Sequence, residues 1–331
     1  MFARFVNEFV DGARVAGTFT LRSREVRSSR NGEAYLAVEL GDRTGLIPGV
    51  LFRPDAVATS IPSGSVVRVQ GTVTTFRGVR RVSMHAMRPA ESWDSADLIA
   101  SSQVPIEEMV SELREIVASV SHPGLKRLLR AVLGDRPAFE RFCACPASQH
   151  HHHAYVGGLL AHTISVARIC ELCAARYDDI DRDLLITAAV MHDFGKIDEI
   201  SVNSGIGFTD EGRLIGHVVS GLVRLRDAGA KSRLDQDTLL RLEHAVLSHH
   251  GELEWGSPKK PSTIEALVLH HADNMDAKTS AFTGMLRGAM LANEVWTDAG
   301  NLFRRPLFAP RALEDEQLLA GEGVSADRLS A

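Results

Sequence analysis

The hydrophobic period of this chain changes once, near residue 90, and that change sets what it can fold into. Before it, apolar and polar residues alternate in short runs: Arg14-Val-Ala-Gly-Thr-Phe-Thr, Ala34-Tyr-Leu-Ala-Val-Glu-Leu, Val66-Val-Arg-Val-Gln-Gly-Thr-Val and Arg81-Val-Ser-Met. A period of two sends successive side chains to opposite faces, so these runs predict strands. Turn residues separate them at Arg30-Asn-Gly-Glu, Gly41-Asp-Arg-Thr-Gly, Pro62-Ser-Gly and Arg77-Gly-Val. About five such strands within residues 1–90 predict a small barrel. A polar, serine-rich linker covers 91–104, and Pro105 opens the second region. There apolar residues recur at three- and four-residue intervals over 107–120, 124–133, 155–176, 183–193, 214–227, 237–248 and 262–277, which predicts helices throughout 105–308. Ser262-Thr-Ile-Glu265 reads as a capping box for the last of them. A loosely ordered tail is expected over 309–331.

With 331 residues, 44% of them hydrophobic, the chain has room for one small and one large domain. No run reaches the roughly 18 to 20 apolar residues of a membrane helix, and Glu8 and Asp11 interrupt the stretch where a signal peptide would have its apolar core. The expectation is a cytoplasmic protein without a membrane partner. Charge is uneven: residues 1–90 hold 13 Arg, no Lys and seven acidic residues, a net +6 that leaves −11 for the rest of a chain at −5. A basic barrel on an acidic helical body points weakly to nucleic acid. Cys170-Glu-Leu-Cys173 has CxxC spacing, but it sits in a helical apolar pattern without a second pair, so it is read as structural.

Most of the 14 histidines fall between His150 and His271. His192-Asp193 ends the apolar run Leu184 to Met191, and Gly195 shortly after reads as a left-handed helix stop. His162 and Asp273 lie in two other apolar helical segments, where a carboxylate is costly to bury alone and a divalent cation offsets that cost. Hydrolysis of a phosphodiester is served by two ions about 3.5 to 4 Å apart. Mixed imidazole and carboxylate ligands suit Mn, Fe or Zn better than Mg. Lys196 is a candidate cation for a phosphate oxygen. His152 and His153 are candidates to touch substrate or to position a ligand, and Trp255 to stack on a base or pin its own loop.

The ordered set His162, His192-Asp193, Asp273 resembles the HD phosphohydrolase superfamily. By that resemblance a first ion uses His162, His192, Asp193 and Asp273, and a second uses Asp193, His217 and His249. Leu40-Gly-Asp42-Arg-Thr-Gly45 followed by Gly64 to Gly71 resembles an OB-fold. The run from Pro146 through His150-His-His-His153 to Thr163, with Met191 to Lys196, Leu247-Ser-His-His-Gly-Glu-Leu-Glu-Trp-Gly-Ser-Pro258 and Asp273 to Lys278, resembles the YhaM-type 3′→5′ exoribonucleases. The resemblance spans about 13 to 308, departing from the pattern at Gln149, Ala161 and Arg304. It implies an OB-fold-like β-barrel followed by an all-helical HD domain, manganese or a similar ion, single-stranded RNA and also single-stranded DNA as partner. Asp193 and Lys196 are the expected catalytic residues, and His152, His153, His250, Trp255, Tyr35 and Phe76 the expected substrate contacts. A nucleotide phosphohydrolase, a cyclic-nucleotide phosphodiesterase and an inactive nucleic-acid-binding protein are the competing functions, and self-association stays open.

Overall fold

The computed structural model describes residues 2–28, 31–76, 78–149, 152–202, 205–291 and 294–310. His150, His151 and the expected tail from residue 311 onward lie outside the described residues. By compactness the chain divides into Met1–Ala277 and Lys278–Ala331.

The first unit begins with β1 (Phe2–Ala3), β2 (Arg14–Ser28), β3 (Ala34–Asp42), β4 (Gly45–Phe52), the short helix α1 (Ala56–Ser60), β5 (Val66–Phe76) and β6 (Val79–Pro89). The strands run in the order β2-β3-β4-β6-β5, and β5 pairs back with β2 to close a five-stranded barrel. Only β4 and β6 are parallel within that ring. Alternation explains the closure: on β5 Val67, Val69 and Val73 are buried while Arg68 and Gln70 face out. Asp42 ends β3 buried, accepting hydrogen bonds from the backbone N–H of Val6 (2.7 Å), Thr44 (2.7 Å) and Gly45 (3.2 Å). Its job is to tie the N-terminal segment to the β3–β4 turn.

The linker is more structured than its composition suggests. It contains α2 (Ser95–Leu98), and Leu98 and Ile99 are buried in the helical core, which Val66 of the barrel also joins. Two apolar residues in a polar stretch suffice to anchor it.

The helical region comprises α3 (Ile106–Ser119), α4 (Pro123–Leu133), α5 (Arg136–Ala144), α6 (Gly158–Arg176), α7 (Arg182–Met191) and α8 (Lys196–Glu199). A hairpin of β7 (Ile200–Ser201) and β8 (Gly207–Phe208) follows, then α9 (Asp210–Leu214), α10 (His217–Ser232), α11 (Gln236–Leu247) and α12 (Ile264–Leu291). Side-chain caps set several starts: Asp135, Asp181, Thr209 and Asp235 each accept from a backbone N–H three residues on. The helix expected over 214–227 starts later, as α10 at His217, because Gly216 at φ 81° separates it from α9, which ends at Leu214. At α12 the hydroxyl that accepts from Ala266 N–H belongs to Thr263, while Glu265 binds Arg241 at 2.8 Å instead of closing a capping box. By length and composition α6 could cross a bilayer, but half of it is buried inside the protein among the other helices.

In the second unit Phe282 of α12 packs on Phe303, and Trp296 on Phe308. Ala309, where the loosely ordered tail was expected to begin, is buried, and its N–H donates to the Val295 carbonyl at 2.8 Å.

Candidate metal centre

Six helices bring their ends or faces to one buried point. α6 brings His162 one turn after its start, α7 ends at His192 and Asp193, and α8 begins with Lys196. α10 begins with His217, His249 and His250 follow α11, and α12 carries Asp273 and Asp276 on one face. Two glycines permit this approach. A Cβ on Gly195 would lie 2.1 Å from the His217 carbonyl, and one on Gly158 would lie 1.9 Å from that of His153. Gly195 has an ordinary right-handed conformation, φ −65°. The left-handed stop expected there is absent; glycine is required by the close passage of α10.

Asp193 sits at the middle of two groups. Its Oδ2 lies 3.4 Å from Nε2 of both His162 and His192, and Asp273 Oδ1 is 3.1 Å from His162 Nε2. Its Oδ1 lies 3.4 Å from His217 Nε2 and 3.5 Å from His249 Nε2, while His250 Nε2 is 3.3 Å from His217 Nε2. His217, His249 and His250 form one cluster with metal-ligand spacing, and His162, His192 and Asp193 another. His250, read from sequence as a substrate contact, therefore shares the second group.

Hydrogen bonding fixes the tautomers. A carbonyl can only accept, so His192 Nδ1, 2.7 Å from the Ala189 oxygen, and His249 Nδ1, 2.6 Å from that of Val246, must each carry the proton. Their Nε2 atoms then present lone pairs to the centre. Carboxylates do the same for the other pair: Asp276 Oδ2 is 2.7 Å from His162 Nδ1, and Glu199 Oε2 is 2.9 Å from His217 Nδ1. Asp193 Oδ1 and His249 Nε2 are buried without a hydrogen bond. Converging lone pairs and an orphaned carboxylate oxygen are a poor fit to one another and a good fit to cations.

Electrostatics agree. Burial works against charge on His162, yet the Asp193, Asp273 and Asp276 carboxylates outweigh it and raise its pKa well above the usual histidine range. Burial opposes ionisation of Asp193 and Asp273 too, but neighbouring Lys196 and histidines hold Asp193 far below the carboxylate range, and His162 and His192 do so for Asp273. Burial pushes His152 and His250 down to about 3 and lowers His249, leaving these imidazoles neutral. The pocket thus draws positive charge to one place while keeping its other nitrogens free to ligate.

Around the centre, Lys196 Nζ lies 2.5 Å from Asp193 Oδ2. A pocket of about 190 Å³ opens over it, lined by His152, Lys196, His250, Trp255, His270 and Asn274 along with Asp193 and Asp273. His152 and Trp255 border that pocket. His153 does not: its Nε2 binds Asp276 Oδ2 at 2.9 Å and its Nδ1 binds the Tyr155 hydroxyl at 2.8 Å. Cys170 is buried and unpaired, and burial raises its pKa, so it is a thiol in a core rather than a ligand.

Sequence reasoning missed Asp276 and Glu199. Asp276 also accepts from Ser165 Oγ, so one carboxylate aligns His162, His153 and a helix hydroxyl. Its signal was present, three residues after Asp273 on a helix. Exchanging it for alanine should leave every direct ligand in place and still weaken metal affinity by roughly 10- to 100-fold. Equilibrium dialysis with Mn²⁺ checks this, and unchanged affinity would remove Asp276 from the support.

Tyr35 and Phe76 lie elsewhere, in a groove of about 1200 Å³ on the barrel that also includes Phe52, Arg24, Arg27 and Arg81. Tyr35 and Phe52 pair across β3 and β4 with ring centroids 5.8 Å apart, and the Arg81 guanidinium stands 4.3 Å from the Phe76 ring centroid. Phe52 was not anticipated. It becomes a neighbour of Tyr35 only through the hairpin register.

Comparison with known proteins covers both parts of the chain. Residues 14–88 match the model of the OB-fold nucleic acid binding domain, and residues 159–278 match that of the HD domain. The 3′-5′ exoribonuclease YhaM of Bacillus velezensis is 32% identical over 271 residues, covering 81% of this chain and 86% of its own. That of Bacillus subtilis is 31% identical over 272 residues, with 81% and 86% covered. That of Shouchella clausii is 30% identical over 311 residues, with 92% and 97% covered. Barrel, helical centre and overall similarity agree, and the chain belongs to the family of the 3′-5′ exoribonuclease YhaM.

Proposed function

We propose that this chain is a metal-dependent 3′→5′ exoribonuclease that degrades single-stranded RNA to nucleoside monophosphates. The observation that carries the reading is that the two oxygens of Asp193 face separate groups of ligands. In this reading one ion is held by His162, His192, Asp193 and Asp273, and a second by Asp193, His217, His249 and His250. The relatives' named activity supports the substrate and polarity.

Divalent ions held there supply charge neutralisation at the phosphoryl oxygens and a lowered proton affinity for the attacking water. Imidazole-rich ligands favour Mn²⁺, with Fe²⁺ and Zn²⁺ next and Mg²⁺ last. The chain's own groups do the rest. Lys196 directs an ammonium toward a nonbridging oxygen from beside Asp193. Neutral His152 donates or accepts without adding charge. Trp255 and His270, ring centroids 5.9 Å apart, offer an aromatic edge to the terminal base. A pocket of about 190 Å³ receives the end of a strand, which suits exonucleolytic rather than internal cleavage. Attack at phosphorus assisted in this way makes no use of the 2′-hydroxyl, so single-stranded DNA is a second proposed substrate. The proposed location is the cytoplasm, in keeping with four free cysteines.

The test is hydrolysis of single-stranded RNA labelled at either end, with Mn²⁺. A 3′ label should leave at once as mononucleotide while a 5′ label shortens stepwise. Internal fragments, or release from the 5′ end, would overturn the polarity.

The barrel groove supplies capture. Tyr35→Ala and Phe52→Ala should each weaken binding of a long single strand by about tenfold, the worth of one base stack. Hydrolysis of a dinucleotide should stay the same. Fluorescence anisotropy with labelled RNA measures the first and product release the second. Point exchanges are preferable to deleting the barrel, since Val66 belongs to the helical core.

A further inference from the structure

A second cleft, of about 690 Å³, lies where the barrel meets the helical region within the first unit. From the barrel it is lined by Arg22 and the Ser63–Ser65 turn, from the helical region by Ser201, Gly205 to Phe208 and Arg213, and Trp93 of the linker lines it too. Among the described lining residues there is no carboxylate, although the rest of the chain beyond the barrel is strongly acidic.

Arg22 occupies this cleft because of a fault in the ladder. The β2–β3 register slips between Leu21 and Ser23, leaving Arg22 as the extra residue of a bulge, a device that re-aims a side chain. Its Nε is buried without a hydrogen bond, and Glu39 acts on it only through space. Arg213 makes no ion pair among the described residues and is exposed at the end of α9. Trp93 is 41% exposed. Two guanidiniums without an ion pair among the described residues, beside an open indole, are complementary to a phosphodiester and its adjoining base.

The helical wall is the same stretch of chain that builds the metal centre. Arg213 precedes His217 by four residues, and the hairpin directly follows α8, whose Glu199 holds His217. Gln149, also on this wall, is three residues before His152, a reach of at most about 11 Å.

We propose that this cleft is a nucleotide subsite on the path of the RNA strand from the barrel to the metal centre. Arg22 and Arg213 clamp one phosphodiester and Trp93 stacks on the neighbouring base. The assignment rests on the exoribonuclease reading above.

The test compares the wild-type chain with Arg22→Gln/Arg213→Gln, Trp93→Ala and Trp93→Phe. Substrates are an oligoadenylate about 20 nucleotides long and the dinucleotide ApA, with 5′-AMP as free ligand. The double exchange and Trp93→Ala should each raise KM for the long strand about tenfold with kcat unchanged, leave ApA hydrolysis unchanged, and Trp93→Phe should restore the wild-type KM. Binding of the long strand, measured without hydrolysis in chelator, should lose part of its salt dependence in the double variant. Unchanged KM and affinity overturn the subsite, as does an equal loss on ApA, which would mark damage to the centre. Loss of 5′-AMP binding with no effect on the long strand would assign the cleft to free nucleotide and overturn its place on the strand path. If the wild type fails to cleave RNA, the exoribonuclease reading fails; the chelator binding comparison still decides whether the cleft holds a strand.

Discussion

Asp193→Asn should lower RNA hydrolysis by at least about a thousandfold, the equivalent of the several kcal/mol that metal-assisted charge stabilisation contributes. The amide keeps the shape of the side chain but loses the charge that faces both ligand groups. It also strips the buried Lys196 ammonium of its nearest partner, although Asp273 and Glu199 still attract that charge. Breaking a buried pair costs about 3 to 5 kcal/mol, so the melting temperature should drop by roughly 10 °C while the protein stays folded at room temperature. Circular dichroism and steady-state turnover, read on the same preparation, separate the two effects. Near-wild-type turnover in a folded, metal-replete variant would remove Asp193 from the chemistry.

Chelation should abolish activity, and Mn²⁺ should restore it further than Mg²⁺ because the group around Asp193 Oδ1 is made of imidazoles. His217→Ala should blunt that recovery. The recovery should also depend on pH with a defined sign. Carboxylates raise the His162 pKa well above its ordinary value, so in the metal-free protein this ring holds a proton that a cation must displace. Metal affinity should therefore climb as pH rises from 6 to 8, by up to about tenfold per unit for one displaced proton. Affinity that falls or stays flat over that range would contradict the assignment of His162 as a ligand. Equal recovery with Mg²⁺ would contradict the imidazole-rich second group.

Much of this centre could be read from the sequence, for a physical reason. His162, His192, Asp193 and Asp273 are polar residues inside apolar helical patterns, an arrangement that costs energy unless something compensates it. The supporting carboxylates were harder to see. Asp276 and Glu199 matter only because side-chain conformation points them at Nδ1 of His162 and His217, and no periodicity encodes that. His250 likewise turned toward the second group by the turn that follows α11, which a helical pattern ending at 248 does not specify.

The fold shows the same division. Alternation located β2, β3, β5 and β6 but not β4, while the pairing of Phe52 with Tyr35 and the bulge at Arg22 depend on register. α5 escaped notice although Asp135 and Pro137 form an ordinary helix start, because at nine residues it is too short to show a sustained helical period. The linker looked unstructured by composition, yet Leu98 and Ile99 are enough to fix it to the core.

Whether Asp193 bridges two ions is decided by counting the divalent ions bound per chain against activity during a Mn²⁺ titration of the metal-free protein, with Asp193→Asn alongside. Turnover should rise with the second ion bound to each wild-type chain, and the variant should retain at most one. Full activity with a single ion per chain would contradict the bridging role of Asp193, on which the proposed mechanism rests.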